Sequence, residues 1–158
     1  MPAQIPITVR PATAGDLPAL IALEKDSLTA AHWSEKEYSR ACAANDPVIL
    51  VAESKDRSRM LIGFIFARII GDNWELENIV IAKAAQGQGI GSQLLGDFLD
   101  IARQKSAQNI FLEVRASNLT AILLYKRFGF EQDAVRKLYY SNPEEDAFLF
   151  HLSLRDAT

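Results

Sequence analysis

Residues 74–101 of the chain read WELENIVIAKAAQGQGIGSQLLGDFLDI, and this stretch decides the fold. Its first part, residues 74–82, is rich in apolar and β-branched residues and predicts a strand. Glycines follow, and after them the apolar residues recur at helical spacing, at Leu94, Leu95, Phe98, Leu99 and Ile101. A strand, a glycine loop and a helix in this order bring backbone N–H groups to the positive end of a helix dipole, which predicts a phosphate site.

Several ligands use glycine loops of this kind. A P-loop for ATP or GTP requires a lysine directly before its Ser or Thr, whereas Ser92 follows Gly91. A dinucleotide-binding loop is closer in spacing, with Gly87 and Gly89 in place and Glu113 downstream. That motif, however, belongs to the first strand of its domain, and here three or four predicted strands precede the loop. A tight glycine turn without a ligand is the remaining alternative.

Apolar patterns and turn signals give the order of the other elements. The predicted strands are residues 5–9, 48–52, 60–70, 74–82, 109–115, 130–140 and 147–154. Two helices lie between the first two strands, started by the capping-box spacings of Thr13 with Asp16 and of Ser34 with Glu37. A last helix at residues 118–128 ends at Gly129. The predicted order is βααββ-βαβαββ, in a single domain of residues 1–158.

The bulk composition is that of an ordinary globular domain. The chain has 158 residues, 49% of them hydrophobic, and its formal net charge of -3 gives no general attraction to nucleic acid. Cys42 is the only cysteine, so we expect neither an intrachain disulfide nor a metal site, and no other metal-binding spacing is present. No secretory signal pattern and no apolar run of about 18 residues occurs. We expect a cytoplasmic protein without nucleic-acid or membrane partners.

Further motifs stand at defined spacings around the glycine loop. They are His32-Trp33-Ser34, Glu75 with Asn78-Ile79, Gln86 with Gly89 and Gly91, Leu112-Glu113-Val114-Arg115-Ala116-Ser117-Asn118, Leu124-Tyr125 with Gly129-Phe130, Arg136 with Tyr139-Tyr140, and Glu145-Asp146-Ala147. The glycine motif resembles the pyrophosphate-binding motif of the GNAT superfamily of N-acetyltransferases. Together the motifs resemble the family of ribosomal-protein-alanine N-acetyltransferases known as RimI, and the resemblance covers nearly the whole chain.

The resemblance implies an α+β (mixed α/β) fold and acetyl-CoA as the cofactor. The fold would be a central, mostly antiparallel sheet with a splayed pair of parallel strands, flanked by about four helices. The backbone around residues 79–81 would bind the pantetheine like an added strand, and the glycine loop would bind the pyrophosphate. The cofactor-binding residues implied in this way are Ile79, Val80, Ile81, Gln86, Gly87, Gln88, Gly89, Ile90, Gly91, Ser92, Asn118 and Tyr125.

The resemblance also implies two catalytic residues, Glu113 and Tyr125. Glu113 interrupts an apolar run and would act as a general base through a water, and Tyr125 would protonate the departing thiolate of CoA. The residues alone allow simpler interpretations. Glu113 also fits a carboxylate on a solvated face or a partner of Arg115, and Tyr125 also fits an ordinary core aromatic residue. Ser117 and Asn118 also fit plain helix caps.

The implied acceptor is the α-amine of a protein N-terminus, most specifically the N-terminal alanine of a small-subunit ribosomal protein, which would attack the thioester directly. Aromatic walls and a carboxylate would suit a small N-terminal residue and its cation. The candidates for this peptide site are Trp33, Glu75, Asn78, Arg136, Tyr139 and Tyr140. Two alternatives stay open: an acceptor such as a lysine, a polyamine or another small amine, or a module that binds CoA or a nucleotide without catalysis.

Overall fold

The computed structural model describes residues 5–27, 35–43, 48–56 and 58–155. Its strands are β1 Ile7–Pro11, β2 Val48–Ser54, β3 Leu61–Ile70, β4 Asn73–Ile81, β5 Asn109–Arg115, β6 Glu131–Tyr140 and β7 Glu145–Ser153. Its helices are α1 Leu17–Asp26, α2 Glu35–Ala43, α3 Ile90–Gln104 and α4 Leu119–Arg127, with short 3-10 turns at Ala14–Asp16 and Lys83–Ala85. Within these ranges, no helix combines the length and the apolar character needed to cross a bilayer.

The predicted order of elements is confirmed, and the differences lie at element ends. β1 begins at Ile7 rather than at residue 5 and runs through Pro11, which an edge strand tolerates. The predicted capping box opens the first helical segment as a 3-10 turn, where the Thr13 N–H donates to Asp16 Oδ2 at 2.7 Å. β7 begins at Glu145, two residues before the predicted start. The second predicted box depends on Ser34, which lies outside the described residues.

The strands form one mixed sheet in the order β1-β2-β3-β4-β5-β7-β6. All neighbours are antiparallel except β4 and β5, which are parallel and are joined through α3. The predicted mixed fold with one parallel pair and flanking helices is therefore confirmed.

Each face of the sheet is covered by its own helices. The apolar stripe of α3, which includes Leu94 and Phe98, packs with α4 residues on one face and buries Trp74 of β4. On the other face Leu20 of α1 and Tyr38 of α2 pack on β2 and β3. Two separate apolar cores, here called the α3 core and the α1 core, hold the sheet between them.

A β-bulge in β4 changes which side chains face which core. Asn78 lies opposite Phe66 and Leu76 lies opposite Ala67, so Glu77 has no residue opposite it in β3. Leu76 packs in the α3 core, and strict alternation would place residue 78 there too. Instead Ile79 packs against the α3 core, and Asn78 lies on the other face. The bulge thus shifts the alternation by one residue.

Leu94 lies at the centre of the α3 core, and its truncation should lower stability. Leu94→Ala is expected to reduce the free energy of unfolding by about 2–5 kcal/mol, because this fully buried side chain would leave a cavity. Leu123→Ala, at an α4 position that is 62% exposed, is expected to change it by less than about 0.5 kcal/mol. Denaturant unfolding followed by circular dichroism measures both. Equal losses in the two variants would contradict the packing described for α3.

Candidate active site

A cleft opens where β4 and β5 separate. Their ladder pairs residues 73–76 with residues 109–112 and ends there, although β4 continues to Ile81 and β5 to Arg115. The cleft and the open solvent at its mouth together give about 480 Å³ of empty space. It is lined by residues 76–79 of β4, residues 113–115 of β5, Asn118 and Tyr125 at α4, and Tyr140 of β6. The predicted splayed pair is therefore present.

The backbone of β4 beyond the ladder presents polar groups to this gap. Ala82 donates its N–H to Ile62 of β3 at 2.8 Å, and backbone groups alternate in direction along a strand. Val80 therefore faces β3 like Ala82, and its side chain is buried in the α1 core. The N–H and C=O groups of Ile79 and Ile81 face the gap instead. Of the three strand residues predicted to bind the pantetheine, these two have the required backbone direction.

The glycine loop leads from β4 into α3 with its backbone turned outward. Gly87 and Gly89 have φ values of 79° and 83°, in the left-handed region that favours glycine, and open space surrounds both. Gly91 packs closely, since an added Cβ would lie 3.4 Å from Leu124 of α4. The first N–H groups of α3 follow Gly89 and have no partner within the helix, as at every helix N-terminus. This end of α3 suits an anion.

Side chains of the loop attach it to its surroundings. The Gln86 amide donates to the Ile81 carbonyl at 3.2 Å, and Gln88 Oε1 accepts from the Ile5 N–H at 3.0 Å. Arg127 at the end of α4 donates to Ser92 Oγ at 3.4 Å. Arg127 therefore places a cation near the N-terminus of α3. The sequence motifs did not predict a role for this residue.

Glu113 lies on β5 at the mouth of the cleft. Its side chain is 33% exposed, and its Oε1 lies 3.1 Å from Nη1 of Arg136 on β6. Arg115, which was the alternative partner, pairs instead with Glu145 at 3.4 Å. The interpretation that Glu113 pairs with Arg115 is therefore wrong. Its carboxylate is held by a residue 23 positions further along the chain on the outer edge strand.

Tyr125 combines a core position with access to the cleft. Its ring packs against Phe130 and Phe150, at centroid distances of 5.6 and 6.5 Å. No described residue forms a hydrogen bond with the Tyr125 hydroxyl. In the described part of the chain every fully buried side-chain oxygen has a hydrogen-bond partner, so the Tyr125 oxygen is not fully buried. It therefore faces the cleft that Tyr125 lines. Burial raises the pKa of the hydroxyl well above its ordinary value. The phenol therefore stays protonated at neutral pH.

Asn118 caps α4 and lines the cleft at the same time. Its Oδ1 accepts a hydrogen bond from the Ala121 N–H at 3.3 Å, which makes it the N-cap. Ser117 does not have this role. Its backbone N–H donates to Glu145 Oε1 at 2.5 Å. Of the two predicted caps, the structure selects Asn118.

The residues predicted for a peptide site lie at different depths. Tyr140 lines the cleft, and the guanidinium carbon of Arg115 lies 4.3 Å from the centroid of the Tyr140 ring. Burial raises the pKa of the Tyr140 hydroxyl to about 12. Tyr139 stands against Tyr140 in an edge arrangement at the rim, and the Glu113 carboxylate raises the pKa of the Tyr139 hydroxyl. Arg136 joins this rim through Glu113. Trp33 lies outside the described residues.

Asn78 and Glu75 occupy the side of β4 that faces α1 and α2. The Asn78 amide lines the cleft and donates to Glu24 Oε1 at 3.3 Å and to the Tyr38 hydroxyl at 3.2 Å, so α1 and α2 are both tied to β4 here. Glu75 pairs with Arg68 of β3 at 3.6 Å and lies outside the cleft, in the part of β4 that still pairs with β5.

Sequence reasoning gave no role to Glu77, Arg68, Glu24 or Tyr38. Glu77 is a charged residue inside the apolar stretch of β4. The pair Leu76-Glu77 on β4 has the same residue types as the pair Leu112-Glu113 on β5. This repeated pair is the sequence signal that could have identified Glu77. In the described ranges, no group of three or more His, Cys, Asp or Glu side chains is arranged to hold a metal ion.

Comparisons with known proteins agree with this geometry. The sequence profile of the "Acetyltransferase (GNAT) family" matches residues 17–130. The [ribosomal protein bS18]-alanine N-acetyltransferase of Escherichia coli K12 is 31% identical over 141 residues, 88% of this chain and 92% of the relative. The crystal structure of the E. coli ribosomal-protein-S18-alanine N-acetyltransferase has a TM-score of 0.84 at 28% identity, covering 97% of each chain. Arabidopsis thaliana NAA60 in complex with acetyl-CoA has a TM-score of 0.86, covering 94% of this chain and 99% of that one, and at 20% identity it shows the shared fold alone.

The cap at Asn118 leads to a stability prediction. Asn118→Ala is expected to lower the free energy of unfolding by about 1 kcal/mol, because the Ala121 N–H at the start of α4 loses its acceptor. Ser117→Ala, one residue earlier, is expected to change it by less than about 0.5 kcal/mol, since the backbone N–H that donates to Glu145 is kept and the side chain does not cap α4. Thermal or denaturant unfolding of both variants measures this, and a larger loss at Ser117 would refute the capping role of Asn118.

Proposed function

The chain belongs to the acetyltransferase (GNAT) family, and we propose that it transfers the acetyl group of acetyl-CoA to the α-amine of a protein N-terminus. The observation that carries this proposal is the cleft between β4 and β5, which Glu113 and Tyr125 both line, beside a glycine loop that suits a phosphate. The acceptor we propose is the N-terminal alanine of a ribosomal protein, as in the names of the E. coli relative. Residues 1–158 would act as a single domain.

The exposed backbone of β4 fits the cofactor that the family implies. Among the described residues, the N–H and C=O groups of Ile79 and the N–H of Ile81 lack strand partners on the cleft side, while the Ile81 carbonyl accepts from Gln86. An extended amide chain such as pantetheine would satisfy the unpaired groups like an added strand. The N–H groups of residues 87–92 at the start of α3 would hold the pyrophosphate. Acetyl-CoA supplies an activated thioester, and a β4 amide beside the gap would stabilise negative charge on its oxygen.

Glu113 would act as the base for the acceptor amine. An α-ammonium group has an ordinary pKa of about 7.7–8.0, so a modest base suffices to neutralise it near pH 7. A water between the carboxylate and the amine would relay the proton. The Arg136 contact at 3.1 Å holds the Glu113 carboxylate at the mouth of the cleft.

Tyr125 would supply the proton to the departing thiolate. Its raised pKa keeps the phenol protonated until charge develops on the sulfur, and its packed ring fixes the direction of the hydroxyl. Tyr139, Tyr140, Arg136 and Asn78 would line the approach of the peptide from the rim and from the α1 side of β4. Glu75 and Trp33 are the outer candidates of this peptide site.

The choice of acceptor is tested with a panel. The protein is incubated with acetyl-CoA and peptides that begin with alanine, serine or methionine, with a peptide whose only free amine is a lysine, and with spermidine. We expect the mass of one acetyl group on the alanine-initiated peptide, and less than about one tenth of that rate on the lysine peptide, whose amine has a higher pKa. If the lysine peptide or spermidine is acetylated faster than the alanine-initiated peptide, the proposed N-terminal acceptor is wrong and that amine takes its place. The absence of acetylation on all of them would defeat the proposed function.

The catalytic residues are tested by Glu113→Gln and Tyr125→Phe. Each is expected to lower kcat by about 100-fold or more, because each removes one proton-transfer group, while the affinity for CoA measured by calorimetry is largely kept. Glu131→Gln, on the outer strand β6, is the matched carboxylate control and should keep wild-type kcat. Unchanged rates in both test variants would leave a CoA-binding module, or other catalytic residues, as the interpretation.

A further inference from the structure

The two strands separate at a matched position. Leu76 and Leu112 form the last pair of the parallel ladder, and both belong to the α3 core. The next residues on the two strands are Glu77 and Glu113, and both line the cleft. Neighbouring strands lie about 4.8 Å apart where they pair, so two carboxylates stand on adjacent strands at the point where the gap begins.

Both carboxylates lie on the face opposite the α3 core. Arg68 of β3 contacts both Glu75 and Glu77, so these two side chains share a face. On β5, the buried neighbours of Glu113 on either side, Leu112 and Val114, pack in the α3 core, and Glu113 points away from them. Glu77 and Glu113 therefore flank the mouth of the cleft on the side of the sheet that faces α1 and the Arg136 side chain of β6.

Each carboxylate pairs with an arginine from a strand further out in the sheet, Glu77 with Arg68 of the adjacent β3 and Glu113 with Arg136 of β6, beyond β7. Arg68 Nε and Nη2 lie 2.8 and 2.7 Å from Glu77 Oε1, and Arg136 lies 3.1 Å from Glu113. Both of these Arg68 atoms contact the same Glu77 oxygen, and the Glu77 side chain is 19% exposed. Like charges on adjacent strands repel, and the two arginines offset part of that cost. Burial still raises the pKa of the Glu77 carboxyl, so a further cation beside it would be stabilising.

We propose that Glu77 is a second acceptor-binding carboxylate, which together with Glu113 binds the primary ammonium group of the acceptor at the mouth of the cleft. This inference rests on the proposed function, and it adds a residue that recognises the charge of the acceptor. An ammonium group has three N–H donors, so it can donate to Glu77 on one side and to the relay water held by Glu113 on the other. Glu75 does not share this position, because it lies opposite Phe111 within the ladder.

The first test is steady-state kinetics of Glu77→Gln with the preferred acceptor peptide. Glutamine keeps the shape of the side chain and an oxygen for Arg68 but removes the charge. We expect the KM for the peptide to rise about 10- to 100-fold, the loss of one charge-assisted hydrogen bond, with the KM for acetyl-CoA within about 2-fold. The matched control is Glu53→Gln on β2, whose carboxylate also accepts from an arginine, Arg10 at 3.0 Å, and is 20% exposed. It should leave both KM values unchanged.

The second test separates charge recognition from structure. Calorimetry measures binding of the free-amine peptide and of its N-acetylated form to the wild type, to Glu77→Gln and to Glu77→Asp. We expect Glu77→Gln to weaken only the free-amine peptide, and Glu77→Asp, which keeps the charge, to weaken it less. An equal effect on both peptides, or a Glu77→Gln variant that matches Glu53→Gln, would overturn this inference alone. A wild type that acetylates no acceptor of the panel would instead defeat the proposed function.

Discussion

Beyond Leu76 and Leu112 the parallel strands no longer exchange hydrogen bonds, and the groups of the candidate site are arranged around that gap. Backbone N–H and C=O groups that face a gap need partners, because leaving them dry and unpaired is costly. The gap at Ile79 and Ile81 therefore favours an extended ligand rich in amides, and the glycine loop at its end favours an anion. A pantetheine chain that ends in a pyrophosphate satisfies both demands at once.

The bulge at Glu77 determines which β4 side chains lie on each face of the sheet. Because the alternation shifts by one residue there, Ile79 packs toward α3 while Asn78 turns toward α1 and α2. The α3 side of the gap thus carries the groups proposed for the cofactor, and the opposite side carries amide and carboxylate groups suited to an amine. A regular β4 would have placed an amide in an apolar core, where it would lack its partners Glu24 and Tyr38.

Much of the fold followed from local patterns in the sequence. Residues 109–115 and the helix that ends at Gly129 were predicted almost to the residue, because alternation and a terminal glycine are local signals. The bulge was not predicted, since one extra residue in β4 is visible only against the register of β3. The ion pairs of Glu113 with Arg136 and of Glu77 with Arg68 were not predicted either. The first depends on strand order, which places β7 between β5 and β6, and the second depends on the register of β3 against β4.

The two arginines also constrain how the cleft treats charge. Isolated carboxylates at its mouth would either take up protons or repel each other, and neither state suits recognition of an amine. Arg68 and Arg136 approach from the outer strands on either side, so each carboxylate stays compensated without closing the gap between them. A cation that enters the gap would gain two charged acceptors, whereas an acetylated N-terminus is neutral and keeps a single N–H donor. The arrangement proposed to attract the amine would therefore also favour release of the amide product.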